Sequence, residues 1–103
     1  DSRAMSRGAD SGGSRASEGR VEGRVQGVSF RAAMQAAARR CGAAGWVRNR
    51  PDGSVEFLVQ GDAAAVQAML DWARRGPPSA SVDAFNARET DPSPGLTDFE
   101  VRF

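Results

Sequence analysis

The segment from Gly23 to Arg31 has the residue types and the spacing of a phosphate-binding loop. It reads GRVQGVSFR, a pattern that predicts the end of a strand, a glycine-punctuated loop and the start of a helix. Backbone N–H groups in the first turn of a helix have no partner within the helix and lie at its positive end. A preceding loop that aims further N–H groups at the same point makes a concave anion site, and glycine lets the backbone approach the ligand. The residues that we expect to form this phosphate cradle are Val25, Gln26, Gly27, Val28, Ser29, Phe30 and Arg31.

Arg31 is the first candidate for a catalytic side chain. It lies just inside the first turn of the predicted helix, where a cation is unfavourable for the helix itself. The placement is explained if an anion lies between the guanidinium and the exposed amides, because the planar guanidinium can hold two phosphate oxygens at once. Most arginines are solvated surface residues, but Arg31 has the strongest case for a role among the arginines of this chain.

Asn49 is the second candidate, at the end of a predicted strand and beside a turn. Asparagine is common next to hairpin turns, so Asn49 alone would be assigned to turn chemistry. In the presence of the loop before Arg31, a catalytic interpretation is favoured. An amide can accept a hydrogen bond from water with its carbonyl and donate to a substrate with its NH₂ group.

The residue types that are missing exclude several kinds of catalysis. The chain has no histidine and one cysteine, Cys41. Ser-His-Asp and Cys-His mechanisms, a phosphohistidine, His-ligated metals and an intramolecular disulfide are therefore excluded. We expect neither a metal nor a cofactor, and we expect Cys41 to be a small core residue on an apolar helix stripe.

Length and charge limit the class of protein. A chain of 103 residues with 40% hydrophobic residues suits a single globular domain. Its net charge of +1 gives no indication of a nucleic-acid or membrane partner, and no apolar run approaches the roughly 20 residues of a membrane span. We therefore expect a cytoplasmic monomer that acts on a small molecule and binds neither nucleic acid nor membrane.

Apolar spacing predicts the elements that position these residues. Residues 1–17 are rich in Gly, Ser, Arg and Asp, which indicates a disordered tail, and residues 18–103 form the domain. A weak strand near 19–25 precedes a helix, a hairpin over 45–60, a second helix over 63–75, a strand over 80–89 that breaks strict alternation, and a short last strand. The supporting features are a helical stripe at Phe30, Met34, Ala37, Ala38 and Cys41, a turn at Arg50-Pro51-Asp52-Gly53, an N-cap at Asp62, and alternation at Phe99, Val101 and Phe103.

This order of elements predicts an α+β fold of the ferredoxin-like, split βαβ type. Two helices would cover one face of an antiparallel sheet. The fold is used by enzymes, RNA binders, metal carriers and regulatory modules, so it does not identify the function.

The chain also resembles the acylphosphatase family, from about Gly19 to Phe103. The resemblance rests on GRVQGVSFR, on Gly45-Trp46-Val47-Arg48-Asn49 and on Pro51-Asp52-Gly53-Ser54-Val55-Glu56, in the order and separation usual for the family. It implies hydrolysis of acyl phosphates to a carboxylate and inorganic phosphate, without metal or covalent intermediate. In the implied roles, Arg31 binds the phosphate, Asn49 positions the attacking water, and Val25 to Phe30 form the cradle. Ser29 departs from the family, which usually has glycine or a bulky apolar residue there, and we expect the serine to be tolerated.

Three other hypotheses compete with this one. The domain could be a catalytically silent module that binds phosphate or another anion, although the presence of both Arg31 and Asn49 argues against it. It could bind single-stranded RNA on its open sheet face, but the aromatic, basic string of such proteins is missing. It could also serve beside a larger carbamoyl-transfer enzyme, although no second domain is expected from this sequence.

Overall fold

The computed structural model describes residues 14–103. In chain order the elements are β1 (Arg15–Arg24), α1 (Phe30–Cys41), β2 (Ala44–Asn49), β3 (Val55–Gly61), α2 (Ala63–Arg75), β4 (Ser81–Thr90) and β5 (Phe99–Arg102). The order agrees with the predicted split βαβ arrangement followed by a short last strand.

The five strands of the described chain form one sheet in the order β4-β1-β3-β2-β5. β1 pairs antiparallel with both β3 and β4, and β2 pairs antiparallel with β3. β5 pairs in parallel with β2, so the sheet is mixed at this one edge. Helix α1 packs on β2 and β5, and α2 packs on β1, β3 and β4. The predicted ferredoxin-like α+β fold is therefore confirmed, with a parallel edge strand added to the antiparallel sheet.

The core lies between the sheet and the two helices. The central strand β3 contributes Val55, Phe57 and Val59, which are completely buried, because alternate residues of a strand point to the same face. Helices α1 and α2 contribute Met34 and Met69 at helical spacing, both also completely buried. Each such side chain stabilises the fold by roughly 1.5–3 kcal/mol. This core fixes where α1 begins relative to the strand ends.

Strand β1 begins at Arg15, earlier than the predicted start near Gly19. Residues 15–17 therefore belong to the sheet, whereas the prediction of a disordered tail for residues 1–13 lies outside the described residues. The early part of the strand was missed because its core-facing positions are Ser17 and Gly19. A Cβ at Gly19 would lie 2.6 Å from Cζ of Phe57, so this glycine makes room for a core ring from the neighbouring strand.

The predicted turn and cap are both present, and the broken alternation noted over residues 80–89 has a structural cause. Gly53 has a φ of 93° and donates its N–H to the carbonyl of Arg50 at 3.1 Å. Asp62 accepts a hydrogen bond from the N–H of Ala65 at 2.8 Å, as an N-cap does. The register of β1 against β4 shifts between Glu22 and Gly23, which accounts for the broken alternation in β4.

The prediction that Cys41 is a core residue is wrong. Cys41 is the last residue of α1 and is exposed. The buried face of the helix ends at Ala38, and Gly42 then terminates the helix with a φ of 76°. Cys41 has the helical spacing of the apolar stripe, but the sheet no longer covers the helix at that position.

Gly45 and Gly53 provide a matched test of packing in the sheet. Both have positive φ, but a Cβ at Gly45 would overlap the carbonyl oxygen of Leu58, whereas a Cβ at Gly53 would meet nothing within 4 Å. We expect Gly45→Ala to lower the free energy of unfolding by roughly 3 kcal/mol or more, from strain and overlap together. Gly53→Ala should cost about 1 kcal/mol, from backbone strain alone.

Urea unfolding of the two variants and the wild type measures both costs. Equal losses for Gly45→Ala and Gly53→Ala would show that the close approach to Leu58 does not constrain the sheet.

Candidate active site

Three chain segments meet at one edge of the sheet. β1 and β2 run in the same direction because both pair antiparallel with β3, and β5 shares that direction through its parallel pairing with β2. Their carboxyl ends therefore lie at the same edge. The loop at residues 25–29 follows β1, Asn49 ends β2, and Arg102 ends β5. The topology thus brings the predicted cradle and the predicted asparagine to one place.

An open cleft of about 440 Å³ lies at this edge, a volume suited to a small ligand. Arg31 and Asn49 both line it, so the two predicted catalytic side chains open onto the same space. The residues that line the cleft are Gly27, Ser29, Phe30, Arg31, Ala32, Asn49, Val101 and Phe103. Among these lining residues Arg31 carries the single charged side chain, which favours an anionic ligand.

The loop approaches α1 through two residues with positive φ. Gly27 has φ 74° and Ser29 has φ 61°, and left-handed residues in a short loop can curve backbone N–H groups toward one point. Ser29 is also the N-cap of α1, but its side chain makes no capping hydrogen bond. Such a backbone costs a non-glycine residue about 1 kcal/mol, and strain of this kind collects at functional sites. The first-turn amides of α1 are left uncapped by this serine.

Only part of the predicted cradle can present side chains to the cleft. Val25 and Phe30 are buried with 1% and 2% of their surface exposed, and Val28 packs against the core. These residues can contribute backbone groups alone. The Gln26 side chain points elsewhere, since its amide donates to two carbonyls of the hairpin turn. The phosphate-binding roles of these residues remain predictions.

Arg31 is held by the C-terminal strand, which sequence reasoning did not foresee. Its Nη1 donates to the carbonyl oxygen of Arg102 at 3.0 Å, and its Cζ lies 4.6 Å from the centre of the Phe103 ring. A carbonyl oxygen and an aromatic face both attract a guanidinium. These contacts offset the unfavourable position of a cation at the start of a helix. Alternation in the last strand was visible in the sequence, but its pairing with β2 was not.

Asn49 ends β2 opposite Val55 and is partly buried. Within residues 14–103, its side-chain amide makes no hydrogen bond, so both the carbonyl and the NH₂ group are available to a ligand or water. The turn that follows is closed by the Arg50 N–H, which donates to the carbonyl of Ser54 at 2.9 Å. Asp52 accepts hydrogen bonds from the hydroxyl and the N–H of Ser54, and these lower the pKa of Asp52.

Comparisons with known proteins identify the family of the chain. Residues 17–101 match the model of the acylphosphatase family. A curated acylphosphatase from Gloeobacter violaceus is 56% identical over 81 residues, which cover 79% of this chain and 86% of that protein. Another, from Anaeromyxobacter dehalogenans, is 51% identical over 83 residues, covering 81% and 89%. The crystal structure of acylphosphatase from Bacillus subtilis superposes with a TM-score of 0.81 at 35% identity, covering 86% of this chain and 99% of that one.

The chain therefore belongs to the acylphosphatase family, and its function is that of an acylphosphatase enzyme. The family match covers every strand and both helices of the described fold except the first two residues of β1 and the end of β5. The resemblance noted in the sequence is confirmed, and the catalytically silent module is not favoured.

Two further findings concern the described residues. No helix between residues 14 and 103 is long and apolar enough to cross a membrane. Over the same range, no group of three or more His, Cys, Asp or Glu residues could hold a metal ion.

Glu56 makes the stability of the Asn49 hairpin depend on pH. Burial acts to raise the pKa of Glu56, but hydrogen bonds from Arg48 and Arg50 outweigh it, so the pKa lies below its ordinary value of 4.5. A lowered pKa in the folded state contributes stability above the unfolded value, and the contribution is lost as the pH falls through the folded value. We therefore expect the wild type to lose its advantage over Glu56→Gln as the pH falls below 4.5.

Urea unfolding of both proteins across this pH range measures the advantage. Glu89→Gln is the control, because Glu89 is exposed and lies 3.9 Å from Arg15. A gap between wild type and Glu56→Gln that does not change with pH would contradict the expectation.

We expect the Phe103 ring to orient the Arg31 guanidinium toward the cleft. Removing the ring in Phe103→Ala should weaken inhibition by inorganic phosphate about twofold to fivefold, the size of an exposed cation–π contact. Phe103→Tyr keeps an aromatic face and should bind phosphate as the wild type does. The measurement is the inhibition constant of phosphate for each protein. Equal constants for Phe103→Ala and the wild type would show that the Phe103 ring does not contribute to phosphate binding by Arg31.

Proposed function

We propose that the cleft at the carboxyl ends of β1, β2 and β5 is the active site, and that it hydrolyses the carboxyl–phosphate bond of acyl phosphates. The products are a carboxylate and inorganic phosphate. The observation that carries the proposal is that Arg31 and Asn49 line one cleft at the start of α1.

The phosphate would lie against the start of α1. First-turn N–H groups and the loop before them supply aligned donors, and the helix adds its positive end. One nitrogen of Arg31 is engaged by the Arg102 carbonyl, and the guanidinium has further donors to offer the phosphoryl oxygens. Donors of this kind stabilise the charge that the transferring phosphoryl group carries in the transition state.

Asn49 would hold the attacking water. Its amide can accept a hydrogen bond from water and donate one to a phosphoryl oxygen, which aligns the two reactants. Such alignment is a large part of catalysis when the leaving group is already good. The carboxylate that leaves an acyl phosphate is such a group, so the reaction requires no strong general acid.

The proton of the water needs an acceptor, and no carboxylate or imidazole side chain lines the cleft. We propose that a phosphoryl oxygen of the substrate takes it, and that water attacks phosphorus directly, without a covalent enzyme intermediate and without a metal. Water adds to phosphorus, the carboxylate leaves with the bonding pair, and the proton remains on the phosphate.

We further propose that the protein acts as a monomer in the cytoplasm, on small acyl phosphates and without a nucleic-acid partner. The near-zero net charge gives no sign of a nucleic-acid partner, and a single chain supplies both Arg31 and Asn49 to the cleft, so the proposed site needs no second subunit.

Arg31→Ala and Asn49→Ala test the assigned roles. Each should lower kcat/KM for acetyl phosphate or benzoyl phosphate by at least about a hundredfold, because each removes a group that acts on the transition state. Phosphate release in the presence of EDTA is the measurement. Both variants should keep their circular dichroism spectra, since neither side chain is in the core.

Matched controls are available on other surfaces. Arg40→Ala changes an exposed arginine in the last turn of α1, and Asn86→Ala changes an exposed asparagine of β4. Both should retain wild-type turnover. Full activity in Arg31→Ala or Asn49→Ala would overturn the assigned roles, and phosphate binding without turnover in the wild type would favour the silent module.

A further inference from the structure

We propose that Gln26 is a positioning residue, whose side chain connects the loop at residues 25–29 to the hairpin turn that follows Asn49. This connection would set the distance between the phosphate cradle and the attacking water. This inference rests on the proposed function. It assigns to the Gln26 side chain a role different from contact with the phosphate.

The geometry of the Gln26 amide is fully specified. Its Nε2 donates to the carbonyl oxygen of Arg50 at 2.8 Å and to that of Ser54 at 2.8 Å. One NH₂ group has two protons, so both are used. The side chain is partly buried, where a hydrogen bond that is lost is costly because water does not fully replace it.

The two acceptors are the carbonyls that close the hairpin turn. The Arg50 carbonyl also accepts from the N–H of Gly53 at 3.1 Å, and the Ser54 carbonyl also accepts from the N–H of Arg50 at 2.9 Å. Gln26 therefore binds the hydrogen-bonded frame of the turn rather than a free side chain. Asn49 immediately precedes that frame.

The loop needs such a tie because it is outside the sheet. Asn49 is fixed by pairing with Val55 in β3, whereas residues 25–29 have no strand partner. On its far side the loop is held by Ser79, whose hydroxyl donates to the carbonyl of Val28 at 2.8 Å. Gln26 supplies the hold on the side that faces Asn49.

Loss of this tie should affect chemistry more than anion binding. The loop amides and Arg31 are close neighbours in sequence and move together, so they can still hold phosphate. The alignment of the phosphate with the water on Asn49 depends on the distance between the loop and the hairpin. A shift of about 1 Å in such an alignment can cost about a hundredfold in rate.

The test compares Gln26→Met with Gln60→Met. Methionine has similar length but no N–H donor. Gln60 makes a matched pair of hydrogen bonds, since its amide donates to the carbonyl of Ser93 at 3.0 Å and accepts from the Ser93 N–H at 2.7 Å. Gln60 lies near the end of β3, at the end of the sheet opposite the cleft. It lines a groove there together with Gly42 and Asp98.

We expect kcat for benzoyl phosphate to fall between about tenfold and a hundredfold in Gln26→Met, while the inhibition constant of inorganic phosphate changes by less than about threefold. Gln60→Met should lose stability to urea but keep wild-type kcat. Gln26→Asn keeps an amide but is one methylene shorter, and it should show the same fall in kcat with a nearly unchanged phosphate inhibition constant. If Gln26→Met does not fold, Gln26→Asn provides the test.

Three outcomes would overturn the proposal: wild-type kcat in a folded Gln26 variant, an equal loss of kcat in Gln60→Met, or a phosphate constant that weakens in parallel with kcat. A second readout does not depend on turnover. The side-chain amide resonance of Asn49, recorded with phosphate bound, should move in the Gln26 variants and not in Gln60→Met. If the wild type releases no phosphate from acyl phosphates, the proposed function fails, and the Asn49 resonance still decides whether the tie exists.

Discussion

The common direction of β1, β2 and β5 is the constraint on which the site depends. It follows from two antiparallel pairings with β3 and one parallel pairing with β2. Because of it, a helix start, a strand end and the last residues of the described chain reach the same edge of the sheet. β3 lies between β1 and β2, so the two strands are about 10 Å apart. The loop before α1 follows β1 and Asn49 ends β2, and the cleft is lined by that loop, the start of α1, Asn49, Val101 and Phe103.

The position of Arg31 shows how a locally unfavourable residue is accommodated by tertiary structure. A cation at the start of a helix opposes the positive end of the helix, and the backbone just before it has a non-glycine residue with φ 61°. The compensation comes from the Arg102 carbonyl and the Phe103 ring, at the other end of the described chain. The unfavourable local conformation and charge at this site are thus stabilised by contacts from elsewhere in the fold. The same contacts leave the guanidinium directed at the cleft.

Much of the fold could be predicted from local patterns. Turn chemistry at Gly53, the cap at Asp62 and the helical stripes depend on residues close in sequence, and the structure contains each of them. The prediction was incomplete for β1, since its early core-facing residues, Ser17 and Gly19, give no apolar signal. The Phe57 ring fills the space above Gly19. The prediction was wrong for Cys41, because periodicity does not show where the sheet ends under a helix.

The site could be predicted only in part. The helix start and the loop glycines are local features, so Arg31 and Asn49 could be identified as candidates, and the structure brings them to one cleft. The contacts of Arg31 with the last strand and of Gln26 with the hairpin join residues far apart in sequence. No periodic pattern encodes such contacts. They depend on which strands become neighbours, and a single sequence does not show the partner of a short edge strand such as β5.

The exposed position of Cys41 has a practical consequence for work in solution. It is the single thiol of the chain, and it ends α1 about 16 Å from the residue that begins that helix. A maleimide dye would therefore attach at one defined point, well away from the cleft and without displacing any core side chain. The chain has two tryptophans, Trp46 and Trp72, and Trp72 packs against Phe30 at the other end of α1. In a Trp46→Phe background, energy transfer from Trp72 to the dye would therefore report how the distance between them changes as the protein unfolds.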